Sequence, residues 1–314
     1  MNNNIKTSFL FMAFGKSQVS TEAAEFKKYI GQGSFFVRAF NPTKEQLSKL
    51  YDREITKDQE YVGEITDNDG NKVQTAHVTF ICQADPETNN GIEEFFTARF
   101  TIQNKVRTNR DNTKCQVIDE YGRTAWATQD DVKNHKIPTY EKDGVSHEFN
   151  ISANYRPAFI GEEPLTMFLQ NYLNIPSCQK YVNNEWVMVD NPSDSECRLD
   201  HIKDYFSGNF SELKDIVTLQ PNNKFKAMIG VRTTDDGKQY STLYTNYTLK
   251  NNSNNWAKID ADIQSKKNAG GLQTTEFDNN PLHEYSVKET NLNNSDAALP
   301  FSGTAPTSSP WDNA

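Results

Sequence analysis

The sequence predicts a mainly β chain, a β-rich α+β framework that carries a helical insertion and ends in a disordered acidic tail. Three observations predict it. Aromatic and β-branched runs bounded by Gly, Pro and Asn recur before residue 150 and return between 224 and 249. Between those blocks the apolar residues switch to helical spacing. The last stretch, SDAALPFSGTAPTSSPWDNA, has no period, only Leu299, Phe301 and Trp311 among small and polar residues.

The elements follow in order. Ser34–Phe40 (SFFVRAF) reads as a strand between Gly33 and the Asn41-Pro42 breaker. In NPTKEQLSKLY, Thr43 is placed to cap a short helix, with Gln46 at the reciprocal position and Leu47 and Leu50 on one face. Val73–Cys82 and Glu94–Gln103 predict an antiparallel pair, and Cys115–Asp119 with Arg123–Thr128 a hairpin turning at Tyr121-Gly122. Leu165, Phe168, Leu169, Tyr172 and Leu173 then fall at helical intervals, with Pro164 in the first turn and Pro176 as the stop. A strand at Glu185–Asp190 and a second helix near Phe210–Val217 complete an insertion of about 155–220. Strands return at Lys224–Arg232 and Lys238–Leu249 around the Asp236-Gly237 turn. The body is expected to span 1–262 and the flexible acidic tail 263–314.

Composition narrows the function classes. A hydrophobic fraction of 35% with 19 Phe and 13 Tyr in 314 residues can fill a sizeable core, which argues against global disorder. No apolar run reaches the roughly 18–20 residues of a membrane span, and the opening MNNNIKTSFLFMAFGKS is too short in apolar residues for a secretory signal, so a cytoplasmic location is expected. The net charge of -9 argues against nucleic acid, but from Glu276 onward six acids face the single Lys288, leaving the body close to neutral. Local clusters must decide.

Catalytic and cofactor motifs are absent. Phe14-Gly15-Lys16-Ser17 resembles the end of a phosphate-binding loop, but the required earlier glycine is Leu10, and no nucleotide cofactor is expected. Cys178, Cys197 and His201 offer one ligand pair and a lone cysteine, short of a closed zinc site, so no metal is expected. There is no nucleophile elbow and no H-E-x-x-H, which points away from an enzyme.

The stronger signal is aromatic and basic. From Phe95 to Lys114, Arg99, Lys105, Arg107, Arg110 and Lys114 face one acid, Asp111, and the segment opens with Phe95, Phe96 and Phe100. Rings on a strand followed by cations suit single-stranded nucleic acid, whose bases stack and whose phosphates need charge. A core strand followed by a solvated basic loop fits the same residues. Trp126 is a further stacking candidate, and Tyr240, Tyr244 and Tyr247 with Arg232 and Lys238 form a second group. In the tail, Leu299-Pro300-Phe301 and Trp311 are anchors for a partner pocket, and the surrounding acids would compete with phosphates for a basic groove.

FNPTKEQLSKLYDREITKDQEYVGE, YRPAFIGEEPLTMFLQNYLNI, FSGNFSELKDIV and KFKAMIGVRTTDDGKQYSTLYTNYTL resemble, in that order, single-stranded DNA-binding proteins of tailed bacteriophages, notably crAss-like phages. The similarity spans most of residues 30–250. It implies an OB-type barrel with insertions, a non-enzymatic role in phage DNA replication or recombination, and action in the cytoplasm of the infected bacterium. DAALPF is similar to the acidic terminal peptide of bacterial single-stranded DNA-binding proteins, though Pro300-Phe301 stand well before the end. Single-stranded DNA, and phage replication proteins through the tail, are thus the expected partners. The competing expectation is a phage structural or virion-packaged protein with a docking tail and core aromatics.

Overall fold

The computed structural model of the chain describes residues 27–67, 70–173, 179–182, 185–188, 205–208 and 222–286. In chain order the elements are β1 (Tyr29–Phe40), α1 (Lys44–Tyr51), β2 (Val62–Thr66), β3 (Lys72–Ala84), β4 (Phe95–Val106), β5 (Lys114–Asp119), β6 (Thr124–Thr128) and α2 (Gln129–Asn134). Next come β7 (Thr139–Lys142), β8 (Val145–Glu148), β9 (Tyr155–Pro157), β10 (Phe159–Ile160), α3 (Glu162–Tyr172), β11 (Gln179–Val182) and β12 (Glu185–Met188). After residue 222 follow β13 (Lys224–Thr233), β14 (Gln239–Leu243), β15 (Leu249–Lys250), α4 (Trp256–Asn268), β16 (Thr275–Phe277) and β17 (His283–Glu284).

The mainly β expectation holds. One antiparallel sheet in the order β10-β4-β3-β1-β13-β14 curls into a half-barrel. Its concave side is the main core: alternation turns Phe35 and Val37 of β1, Phe80 and Cys82 of β3, Phe96, Phe100 and Ile102 of β4 and Phe225 and Ile229 of β13 inward. Helix α3 fills that side with Leu165, Phe168, Leu169 and Tyr172, all 0% exposed. Phe168 meets Phe80 at 4.7 Å and Phe225 at 4.8 Å between ring centroids. Each such ring contributes about 1.5–3 kcal/mol through burial.

The entry to α3 shows why the helix sits so close. Gly161 adopts φ +88°, and a Cβ there would lie 2.0 Å from the Thr101 carbonyl oxygen, so only glycine lets the helix touch β4. The Glu162 carboxylate is buried in the first turn and accepts from Arg156, the Phe159 backbone N–H and the Tyr205 hydroxyl. A smaller sheet, β6-β5-β9, packs around Val117, Ala125 and Tyr155, with α2 beside it. The expected zinc candidates Cys178, Cys197 and His201, the helix near 210–217 and the tail anchors Leu299, Pro300, Phe301 and Trp311 lie outside the described residues.

Two expectations are corrected. The strand from Lys238 to Leu249 is broken: β14 ends at Leu243, the chain turns outward at Tyr244, and β15 rejoins β13 separately. The body also continues past residue 262, which falls inside α4. Ile259 and Ile263 of α4 pack on Met228, Tyr244 and Leu249 over the convex face of the sheet. Beyond it β16 pairs with β13, β17 pairs with β1, and Leu282 is fully buried in the main core. Gly31, at φ +118°, admits this strap, since a Cβ there would lie 2.6 Å from the Asn280 carbonyl oxygen.

Candidate nucleic-acid interface

The convex face of the half-barrel is covered unevenly. Toward β13 and β14, α4 buries Met228. Toward β4, Leu47 and Tyr51 of α1 bury Ile81 and shelter Phe95. Alternation turns Phe36 outward on β1, between these two covered zones, and it is half-buried.

Phe36 lies in a cross-strand row. Strand pairing sets Lys224 of β13 opposite Phe36, Phe36 opposite Gln83 of β3, and Gln83 opposite Phe95 of β4. The Phe95 ring in turn meets the Tyr51 ring edge-on at 5.7 Å. Two cations flank Phe36: the Arg38 guanidinium lies 4.3 Å from its ring centroid and the Lys224 ammonium 4.8 Å. Arg38 reaches that position because β1 bulges there, with Val37 and Ala39 facing consecutive residues of β3 and Arg38 as the extra residue. Its Nε donates to Gln83 Oε1 at 2.7 Å.

Lys224 is held from below. Its Nζ donates at 2.8 Å to Asp85 Oδ2, whose side chain is 1% exposed. Burial alone would raise the Asp85 carboxyl, but hydrogen bonds from Lys224 and Thr88 outweigh it and hold the group below the usual carboxylate range. The anchored pair fixes the ammonium over the ring.

Further along β4, Arg99 points outward opposite Thr79 and forms no ion pair among the described residues. It borders a cleft of about 290 Å³ whose walls come from Leu47 and Tyr51 of α1 and from Arg53, Ile55, Lys57 and Glu60 in the segment leading to β2. Beside it His77 contacts the Thr101 hydroxyl at 3.1 Å. Burial and then the Arg99 charge hold its imidazole below the ordinary range.

The other expected site residues separate into three groups. Phe96 and Phe100 are 1% and 3% exposed in the main core, and Tyr244 is 4% exposed under α4 with its hydroxyl donating to Asp262, so these three are packing residues and do not present a free ring for stacking. Alternation on β4 explains the first two, because a strand lining a core on one side cannot show Phe95, Phe96 and Phe100 together. Phe95 is half-buried against Tyr51, and Tyr247 is half-buried against the α4 cluster.

Several expected cations are engaged by acids. Lys105 pairs with Asp67 at 2.8 Å, Lys238 with Asp236 at 2.6 Å, and Arg107 with Glu163 while also donating to Gln116. Arg107 also lies 5.8 Å from the half-buried Trp126 ring, away from the Phe36 row on the smaller sheet. Arg110 is exposed in the turn between β4 and β5, and Arg232 is exposed opposite the half-buried Tyr240. The sequence reading missed Phe36, Arg38 and Lys224. The signal was present in SFFVRAF, where an aromatic and a cation share one face, but the ring's second cation comes from a distant strand.

Among the described residues no three His, Cys, Asp or Glu side chains assemble a metal site, and no helix is long and apolar enough to cross a membrane. The Cys82 thiol is buried, which pushes its pKa up and leaves it unreactive. No family model, no curated protein and no solved structure matches this chain.

Proposed function

We propose that this is a non-enzymatic single-stranded DNA-binding protein that supports phage DNA replication or recombination, and that its half-barrel is an OB-type barrel. The strand order β4-β3-β1-β13-β14 with α3 between β4 and β13 supports the fold assignment. It matches a five-stranded Greek-key barrel whose second and third strands, with the loops after the first and fourth, form the ligand face. In that frame β3 and β4 are the second and third strands, and the segment carrying α1 is the first loop.

The observation that carries the reading is the part of the convex face that no described helix covers, where Phe36 stands between Arg38 and Lys224 with Arg99 further along the sheet. A ring beside cations offers a base a stacking platform and its phosphates a charge, without selecting a sequence. Arg232 and Tyr240 offer the same chemistry on β13 and β14, beyond the stretch that α4 covers at Met228. The tail, with Leu299, Pro300, Phe301 and Trp311, would compete for this face or recruit replication proteins.

The test is fluorescence anisotropy of labelled oligo-dT titrated with the full chain across a salt series. The Arg38→Gln/Arg99→Gln double variant should flatten the slope of log affinity against log salt by about 1.4, two contacts at the single-strand coefficient of about 0.7. An unchanged slope removes this face from the site. No binding by the wild-type chain at any salt rejects the function and favours a virion-packaged protein.

A further inference from the structure

We propose that the cleft under α1 is a base pocket that takes one guanine nucleotide of the bound strand. The inference rests on the single-strand reading above and gives an otherwise sequence-neutral face one selective position.

Size sets the first constraint. At about 290 Å³ the cleft lies at the lower end of the range for small-molecule sites, enough for one base with its sugar. Leu47 and Tyr51, 4% and 5% exposed, form its floor, and the half-buried Ile55 is the apolar side chain that would meet the face of a base. Cleft and Phe36 row share the sheet: Tyr51 touches Phe95 at one end of the row, and Arg99 lies four residues from Phe95 on the same face of β4. One strand of DNA can therefore pass over Phe36 and place a nearby nucleotide at the cleft, beside Ile55 and Arg99.

Charge sets the second. Arg53, Lys57 and Arg99 supply the cations of the lining and Gln59 a neutral amide; Arg99 and Lys57 have no ion-pair partner among the described residues, and either can meet the phosphate. Of the two acids in the wall, Asp58 is held by Lys44 at 3.1 Å. Glu60 has no ion-pair partner among the described residues. A carboxylate in the lining of a base pocket selects for donors on the base edge and repels acceptors. Guanine presents two adjacent donors, N1–H and the N2 amine, which match the two oxygens of one carboxylate. Adenine and cytosine offer one amine beside an acceptor, and thymine one N–H between two carbonyls. Glu60 is accordingly the reading group, and Arg99 and Lys57 hold the phosphate.

The experiment replaces one central dT of an oligo-dT probe by dG, dA or dC and measures affinity of the full chain by anisotropy. The dG probe should bind about 5- to 150-fold more tightly than all-dT, the range of one good bidentate contact. Glu60→Gln should collapse that ratio, and Ile55→Trp, which fills the cleft, should remove it by a different route. Retained oligo-dT binding with equal affinity for all four probes overturns the pocket while leaving the single-strand reading intact. A dG preference that survives both variants places the selectivity elsewhere and also overturns it. Loss of all oligonucleotide binding by the wild-type chain overturns the reading on which the pocket depends.

Discussion

Replacing Phe36 by alanine separates stacking from charge. The ring is half-buried, lies between Arg38 and Lys224, and is the outward aromatic of β1 between the zones covered by α1 and α4. Base–aromatic stacking contributes about 1–3 kcal/mol, so Phe36→Ala should weaken oligo-dT binding by about 5- to 150-fold. No charge is removed, so the salt slope should stay where it is. The fold also loses something: two exposed cation–π contacts of about 0.5–1 kcal/mol each, and part of a ring's burial. That total of roughly 2–3 kcal/mol lies within the stability of a domain this size, and urea denaturation read by tryptophan fluorescence measures it independently. Anisotropy at three salt concentrations then gives affinity and slope together. Wild-type affinity in a folded Phe36→Ala variant would refute the stacking role, and a changed slope would show that the ring acted by positioning its cations.

Other outcomes follow from the framework around the site. Lys224→Met strands the buried Asp85 carboxylate and should cost about 3 kcal/mol in urea denaturation, most of it recovered in the Lys224→Met/Asp85→Asn double variant. Because the Asp85 pKa in the folded chain lies below the ordinary 3.8, the pair stabilises fully above that pH and its contribution is lost as pH falls through the folded value, which an acid titration of Lys224→Met against wild type would expose as a smaller loss. Gly31→Ala forces a Cβ to 2.6 Å from the Asn280 carbonyl at φ +118° and should destabilise by about 2 kcal/mol or more, with the Tm falling accordingly. Leu282→Ala empties a fully buried position and should cost about 2–5 kcal/mol, and a chain ended at residue 262 should fail to unfold cooperatively, whereas one ended at 286 should retain the transition.

Elements with local signals were legible. Thr43 and Gln46 form the reciprocal cap expected of them, and α3 covers the predicted apolar face. The strap from 275 to 285 was not legible because β16 and β17 are three and two residues long, and strands that short exist only through β13 and β1. Helix α4 hides for a related reason: Ile259 and Ile263 are its buried residues, too thin a stripe among charged neighbours to announce a helix. At the site, alternation along β4 was readable but its phase was not. Whether Phe96 and Phe100 or Phe95 and Arg99 faced the core depended on α3 arriving at one side of the sheet. The Phe36 cluster needed still more, since the bulge at Arg38 is a property of how β1 meets β3, and Lys224 arrives from far along the chain.

A ring that no described helix covers is itself the argument for a ligand. A sheet face normally finishes with a helix over it or with polar side chains throughout. Here α3 is committed to the concave side, α1 stops at Ile81 and Phe95, and α4 stops at Met228, so Phe36 remains between them. Arg38 and Lys224 shield the ring in the free chain, and both can serve a second partner without leaving apolar surface exposed to water. A base laid on Phe36 would take over the shielding, and the Arg38 guanidinium, already 4.3 Å from the ring centroid, would turn to a phosphate while Lys224, held by Asp85, would meet one from where it stands. The buried Asp85 orders the turn after β3 by accepting from Thr88 and the Glu87 N–H, and Lys224 balances its charge; a binding face gains in addition from a cation that is ordered before the strand arrives.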